Sequence, residues 1–205
     1  MNNGYRAVLD SIASSSPTPG GGAVAALSIA HGVALSRMVC ELTIGREKWK
    51  EGHQSAENFL STSQTWLTKS VELAQQDCDA FDSVMAAYKL SKGDDRINLE
   101  RKSAINSANL AAATSPLNIA EFGQTILQML PEIATHCNGN AITDMGSASH
   151  LIFSGIQCAS LNVRINLSSL GDEKKSYETT LENIMREVDS LHGEVCNIVN
   201  HRMSN

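Results

Sequence analysis

Aromatic residues make up only 4% of the 205 positions. A core short of rings has to close through small side chains, and interlocking helices do this well. Proline is scarcer still, with four residues, two of which (Pro17 and Pro19) share one loop. Strand-like alternation is rare and helical periodicity dominates. The five cysteines are odd in number and include no Cys-x-x-Cys pair, which argues against a disulfide framework or a zinc knuckle. Each falls within an apolar helical pattern, as a small buried side chain in a reducing, cytoplasmic setting would.

Basic runs are missing as well. The net charge is -6, and Arg101-Lys102 and Lys174-Lys175 are isolated pairs, so no track for nucleic-acid phosphates exists. Met1 to Asp10 has no apolar region of the secretory kind. The most apolar stretch, Ala23 to Ile44, is interrupted by His31, Arg37 and Glu41 and reads as a buried helix instead of a membrane span. No Gly-Lys-Ser/Thr follows the glycines, no Gly-x-Ser-x-Gly elbow occurs, and the Glu-x-x-His pattern of di-iron bundles is absent. A metal-free acid–base site is the expectation that remains.

What is present suits one compact domain spanning residues 1–205, with 42% hydrophobic and 19% charged residues. Periodicity and loop signals predict an all-α, long-helix bundle of six segments: about Gly4 to Ala13, the glycines to Ile44, Glu51 to Tyr88, Asp94 to His136 (bent or broken near Pro116 and Pro131), Ala141 to Leu167, and Asp172 to His201. In the third, Leu60, Leu67, Val71, Ala74, Cys78, Phe81, Met85 and Tyr88 form a continuous stripe suited to bundle packing. Helices this long expose more stripe than one thin bundle covers, so at least a dimer is expected.

Three constellations carry candidate chemistry. Ser16-Pro17-Thr18-Pro19-Gly20-Gly21-Gly22 places three glycines at a helix entrance. Each costs roughly 0.5–1 kcal/mol more backbone entropy than Ala when ordered. Close approach of a ligand to the backbone, or free N–H groups at a positive helix end, would explain them better than a plain turn. Asp77 sits on the flank of the stripe, where lost water raises a carboxylate pKa and suits a general acid or base; an interhelix hydrogen bond is the equal alternative. From Asp144, helical steps reach Ala148, Leu151, Gly155, Ala159, Asn162 and Asn166. Such a row could hydrogen-bond a flat heterocycle or simply join helices, and Asp144 could equally be a helix cap.

In chain order, these pieces resemble the cyclodeaminase/cyclohydrolase family of folate enzymes. The matching stretches are Ser16-Pro-Thr-Pro-Gly-Gly-Gly-Ala-Val-Ala-Ala-Leu27, Met38-Val39 to Leu42-Thr43 with Gly45-Arg46-Glu47-Lys48, Asp77 to Lys92, Asn140-Ala-Ile-Thr-Asp-Met-Gly146, and Asn162-Val-Arg-Ile-Asn-Leu167. The resemblance covers nearly the whole chain. It implies an intertwined homodimer with a folate site near the dimer contact. It also implies chemistry at the carbon bridging N5 and N10, with tetrahydrofolate as substrate and no further cofactor. That chemistry is closure of a 5-formimino group to 5,10-methenyltetrahydrofolate with loss of ammonia, or hydrolysis of the methenyl form to 10-formyltetrahydrofolate. By the same resemblance, Asp77, Asp144 and, after Pro116, Glu121 are candidates for proton transfer. Pro19, Gly20, Gly21 and Gly22 would hold the folate, with Asn162 and Asn166 orienting it. Lys48, Arg46 or Arg164 would meet its carboxylates. Ala23 departs from the Ser common in the family. A helical dimer that binds folate or a protein partner without catalysis is the alternative.

Overall fold

The computed structural model describes residues 3–204, and no strand occurs among them. Eight α-helices follow in order: α1 Asn3–Ile12, α2 Gly21–Thr43, α3 His53–Thr62, α4 Trp66–Lys89, α5 Asp95–Leu127, α6 Leu130–His136, α7 Ile142–Asn166 and α8 Lys174–Met203. Short 3-10 turns join several of them.

The scarcity of rings has its counterpart in the central pair. α2 packs most extensively on α7, and α4, α5 and α8 surround them. At this crossing a methyl on Gly155 would meet the Ala25 carbonyl, and one on Gly32 would meet Ile152 and the Ala148 carbonyl. The backbones are therefore in near contact, sealed by fully buried Ala25, Ile29, Val33, Ile152 and Ile156. By length and composition α2 could cross a membrane, but half of its most apolar window is already covered by the other helices.

The third predicted segment is divided. A 3-10 turn at Ser63–Thr65 separates α3 from α4. Ser61 and Thr62 donate their hydroxyls back to the Asn58 carbonyl, which competes with regular helix. Arg37, reaching over from α2, donates to the Leu60 carbonyl and to Ser63 Oγ at 3.1 and 2.8 Å and holds the break. The stripe also differs from expectation. Ala74 is buried, but Leu67, Phe81, Met85 and Tyr88 are exposed and Val71 is 58% exposed.

Pro116 does not break α5, which is continuous to Leu127; the chain turns at Gln128–Met129, ahead of Pro131. Proline at 116 leaves the Ala112 carbonyl, one helical turn earlier, without its backbone donor. Asn166 Nδ2 on α7 donates to that oxygen at 2.8 Å. Asp144 lies in the first turn of α7, whose cap is Ala141, so the capping role is not the one it has.

Candidate active site

Gly20, the residue that caps the N-terminus of α2, offers no side chain to its first N–H groups, which sit at the positive helix end. Asp77, from the middle of α4, is placed against it. A Cβ on Gly22 would overlap the Asp77 carboxyl where it now lies, so glycine permits this close approach. A Cβ on Gly21 would come within 3.2 Å of Asn162 Nδ2. Gly20 is the N-cap residue of α2, and Pro19 precedes it through a cis Thr18–Pro19 bond.

Asp77, Phe81 and Val84 of α4, Asn109 and Ala112 of α5, and Asn162 and Asn166 of α7 enclose a cavity of about 130 Å³. Burial pushes the Asp77 carboxyl above its ordinary value, while the Ala23 amide and the Ser115 hydroxyl pull it part of the way back. Ser115 is buried, and its Oγ makes no hydrogen bond of ordinary geometry. It is a polar group held beside a carboxyl with bonding capacity to spare.

The two asparagines are oriented by helix carbonyls. Asn162 Nδ2 donates to Cys158 O at 2.9 Å. Asn166 Nδ2 gives one hydrogen to Ala112 O and the other to Asn162 O, at 2.8 and 2.9 Å. Both hydrogens of Asn166 are thus engaged, which leaves its Oδ1 to accept from an N–H donor. The cavity therefore combines an aromatic edge, amide carbonyls and one desolvated carboxyl. That set suits a flat, N–H-bearing heterocycle undergoing proton transfer.

Gly21, Gly22, Asp77, Asn162 and Asn166 thus meet at one place. Other candidates lie elsewhere. Asp144 is about 27 Å from Asn162 by the rise of α7. Glu121 is exposed on α5, about 18 Å along that helix from Asn109. Lys48 stacks over Trp49 at 4.7 Å beside a separate groove that also contains Arg46, Asn138 and Asn140. Arg164 is exposed, roughly 200° around α7 from Asn162. Asn109 and Ser115 were not anticipated. Their only signal is that, as polar residues in an Ala-rich run, they fall with Ala112 on one helical face.

A helical protein with one desolvated carboxyl at a helix N-terminus, beside oriented amides, has the outline of an enzyme that moves protons at a planar nitrogenous substrate. The chain belongs to the formiminotransferase-cyclodeaminase family, whose model matches residues 4–187. It is 33% identical over 205 residues to the methenyltetrahydrofolate cyclohydrolase of Methylorubrum extorquens, covering 99% of both proteins. It is 27% identical to the formimidoyltransferase-cyclodeaminase of Rattus norvegicus over 189 residues, which is 91% of this chain and 35% of that longer protein. The crystal structure of formiminotetrahydrofolate cyclodeaminase from Thermotoga maritima superimposes with a TM-score of 0.86 at 26% identity, covering 96% of this chain and 95% of that one.

Proposed function

We propose that this chain is a folate one-carbon enzyme acting at the N5–N10 bridge, with Asp77 as its proton-transfer group. Family membership supports the substrate class. The observation that carries the role of Asp77 is its carboxyl, desolvated against the N-terminus of α2, where it meets the Ala23 amide, and bordering the amide-lined cavity. Hydrolysis of the methenyl form is the favoured reaction, because of two relatives matched end to end the cyclohydrolase is the more similar, at 33% identity against 26% for the cyclodeaminase. Water adds to the methenyl carbon, and Asp77 accepts one of its protons. The C–N5 bond then breaks and N5 takes the proton from Asp77. The remaining hydroxyl proton leaves to solvent as the 10-formyl carbonyl forms. In the deaminase direction the same carboxyl would protonate the departing ammonia.

Asn162, Asn166 and Asn109 would orient the pterin, and the backbone at Pro19, Gly20, Gly21 and Gly22 would border it. No additional cofactor is needed for either direction. Asp144, Glu121, Lys48 and Arg164 would join this site only if a second copy of the chain delivered them. A homodimer is part of the reading, because the rim of the cavity leaves Phe81 exposed, and Leu161 and Ile165 on the same end of α7 are 63% and 74% exposed. A cytoplasmic location is consistent with five free thiols.

The test is the near-ultraviolet absorbance of 5,10-methenyltetrahydrofolate. Wild-type protein should accelerate its loss, and D77N should lower the rate by about 10²–10⁴-fold with substrate binding retained. Absence of turnover from the folded wild type in both directions would overturn the reading, and full activity of D77N would overturn the assignment of Asp77.

A further inference from the structure

A second group of side chains lies about 18 Å along α7 from Asn162, by helix rise. His150 of α7 and His192 and Cys196 of α8 each offer a ligand atom, and these atoms all lie within 4.8 Å of one another. Cys196 Sγ is 3.5 Å from His192 Nε2. Two ligands of a tetrahedral zinc-type ion, at bond lengths of about 2.1 and 2.3 Å, are separated by about 3.6 Å. The pair on α8 is therefore already at ligand spacing, and His150 brings a third ligand atom to within 4.8 Å of the pair.

The surroundings hold the central ring in the orientation an ion requires. Buried Ser149 Oγ is 2.9 Å from His192 Nδ1. With Nδ1–H donating to that oxygen, Nε2 is left as the bare nitrogen facing the thiol, the arrangement in which an outer hydrogen bond fixes a metal-binding histidine. Phe153 stacks on the same ring at 4.3 Å and 8°. The His150 and His192 rings meet edge to face at 4.8 Å. His150 is exposed, so it can turn and an ion can enter from solvent. The site draws on two helices and an i, i+4 pair, which is why no linear motif announces it.

We infer that His150, His192 and Cys196 form a three-ligand site for one divalent ion of the zinc class, clipping α7 to α8 and separate from the folate cavity. Two imidazoles and a thiolate suit Zn²⁺ in preference to Mg²⁺ or Ca²⁺, which take oxygen ligands. On binding, the Cys196 thiol proton leaves to solvent and the fourth position falls to water.

Full-length protein, stripped with a chelator, should be titrated with Zn²⁺ against a chromogenic chelator and with Co²⁺ as a spectroscopic probe. The expected result is one equivalent of tightly bound ion, a thiolate-to-cobalt charge-transfer band, and a higher Tm with zinc. C196S should abolish the band. H150A, at an exposed position that leaves folding intact, should weaken zinc binding about tenfold or more, and S149A roughly 10–100-fold. Absence of a stoichiometric equivalent, a cobalt band that survives C196S, or zinc affinity unchanged in H150A would each overturn the site. None of these readouts depends on folate turnover.

Discussion

At the scale of single residues, the Asp77 carboxyl is governed by opposing influences. Burial favours its protonated form, and the Ala23 amide and Ser115 hydroxyl favour the charged one. Because burial wins, folding selects the protonated carboxyl. Stability from that preference is fully present below the ordinary carboxylate pKa and is lost as pH rises through the elevated value. D77N, which keeps the shape without the charge, should therefore raise Tm near neutrality, with the advantage vanishing in acid; thermal melts of both proteins across pH measure it. S115A should lift the Asp77 pKa further by removing a group that favours ionisation. The acid limb of the kcat/KM profile should then move to higher pH while the alkaline side stays in place, and an unmoved acid limb would detach Ser115 from the carboxyl.

At the scale of elements, α5 and α7 are joined where proline has removed a helix bond. Asn166 supplies the donor that Pro116 cannot give to Ala112 O. N166A should cost about 0.5–1.5 kcal/mol, the net worth of a hydrogen bond to this part-buried acceptor. In a P116A background, where residue 116 regains its N–H, the same change should cost clearly less; chemical denaturation of the four proteins gives the coupling. The helices themselves were legible, because a 3.6-residue period is local: the predicted starts and ends of α1, α2, α7 and α8 fall within a residue or two of those observed. The break at Ser63–Thr65 was not, since it depends on Arg37 arriving from α2. Pro116 misled for the same reason, its helix being kept continuous by a distant amide. In the site, the glycines, Asp77 and the two α7 asparagines could be picked out from their pattern. Asn109 and Ser115 could not, because polar residues in an Ala-rich run become informative only when a carboxyl is packed beside them.

At the scale of the whole molecule, the stripe of α4 read as core is in part a surface. Val71, Phe81, Met85 and Tyr88 remain exposed, as do Leu161 and Ile165 on α7. A second copy covering this side would reconcile the apolar pattern with its exposure. I165E should then convert a dimer to a monomer in sedimentation velocity and lower turnover in parallel, with helical circular dichroism retained. An unchanged sedimentation coefficient would remove Ile165 from the contact. The fit of Gly22 to Asp77 reaches beyond this one chain. A side chain at the first position must displace the carboxyl at the second from its present place, so changes at the two sites are coupled. Among descendants of this fold, the loss of that glycine should therefore serve as a written record that the carboxyl has left this position, legible without solving another structure.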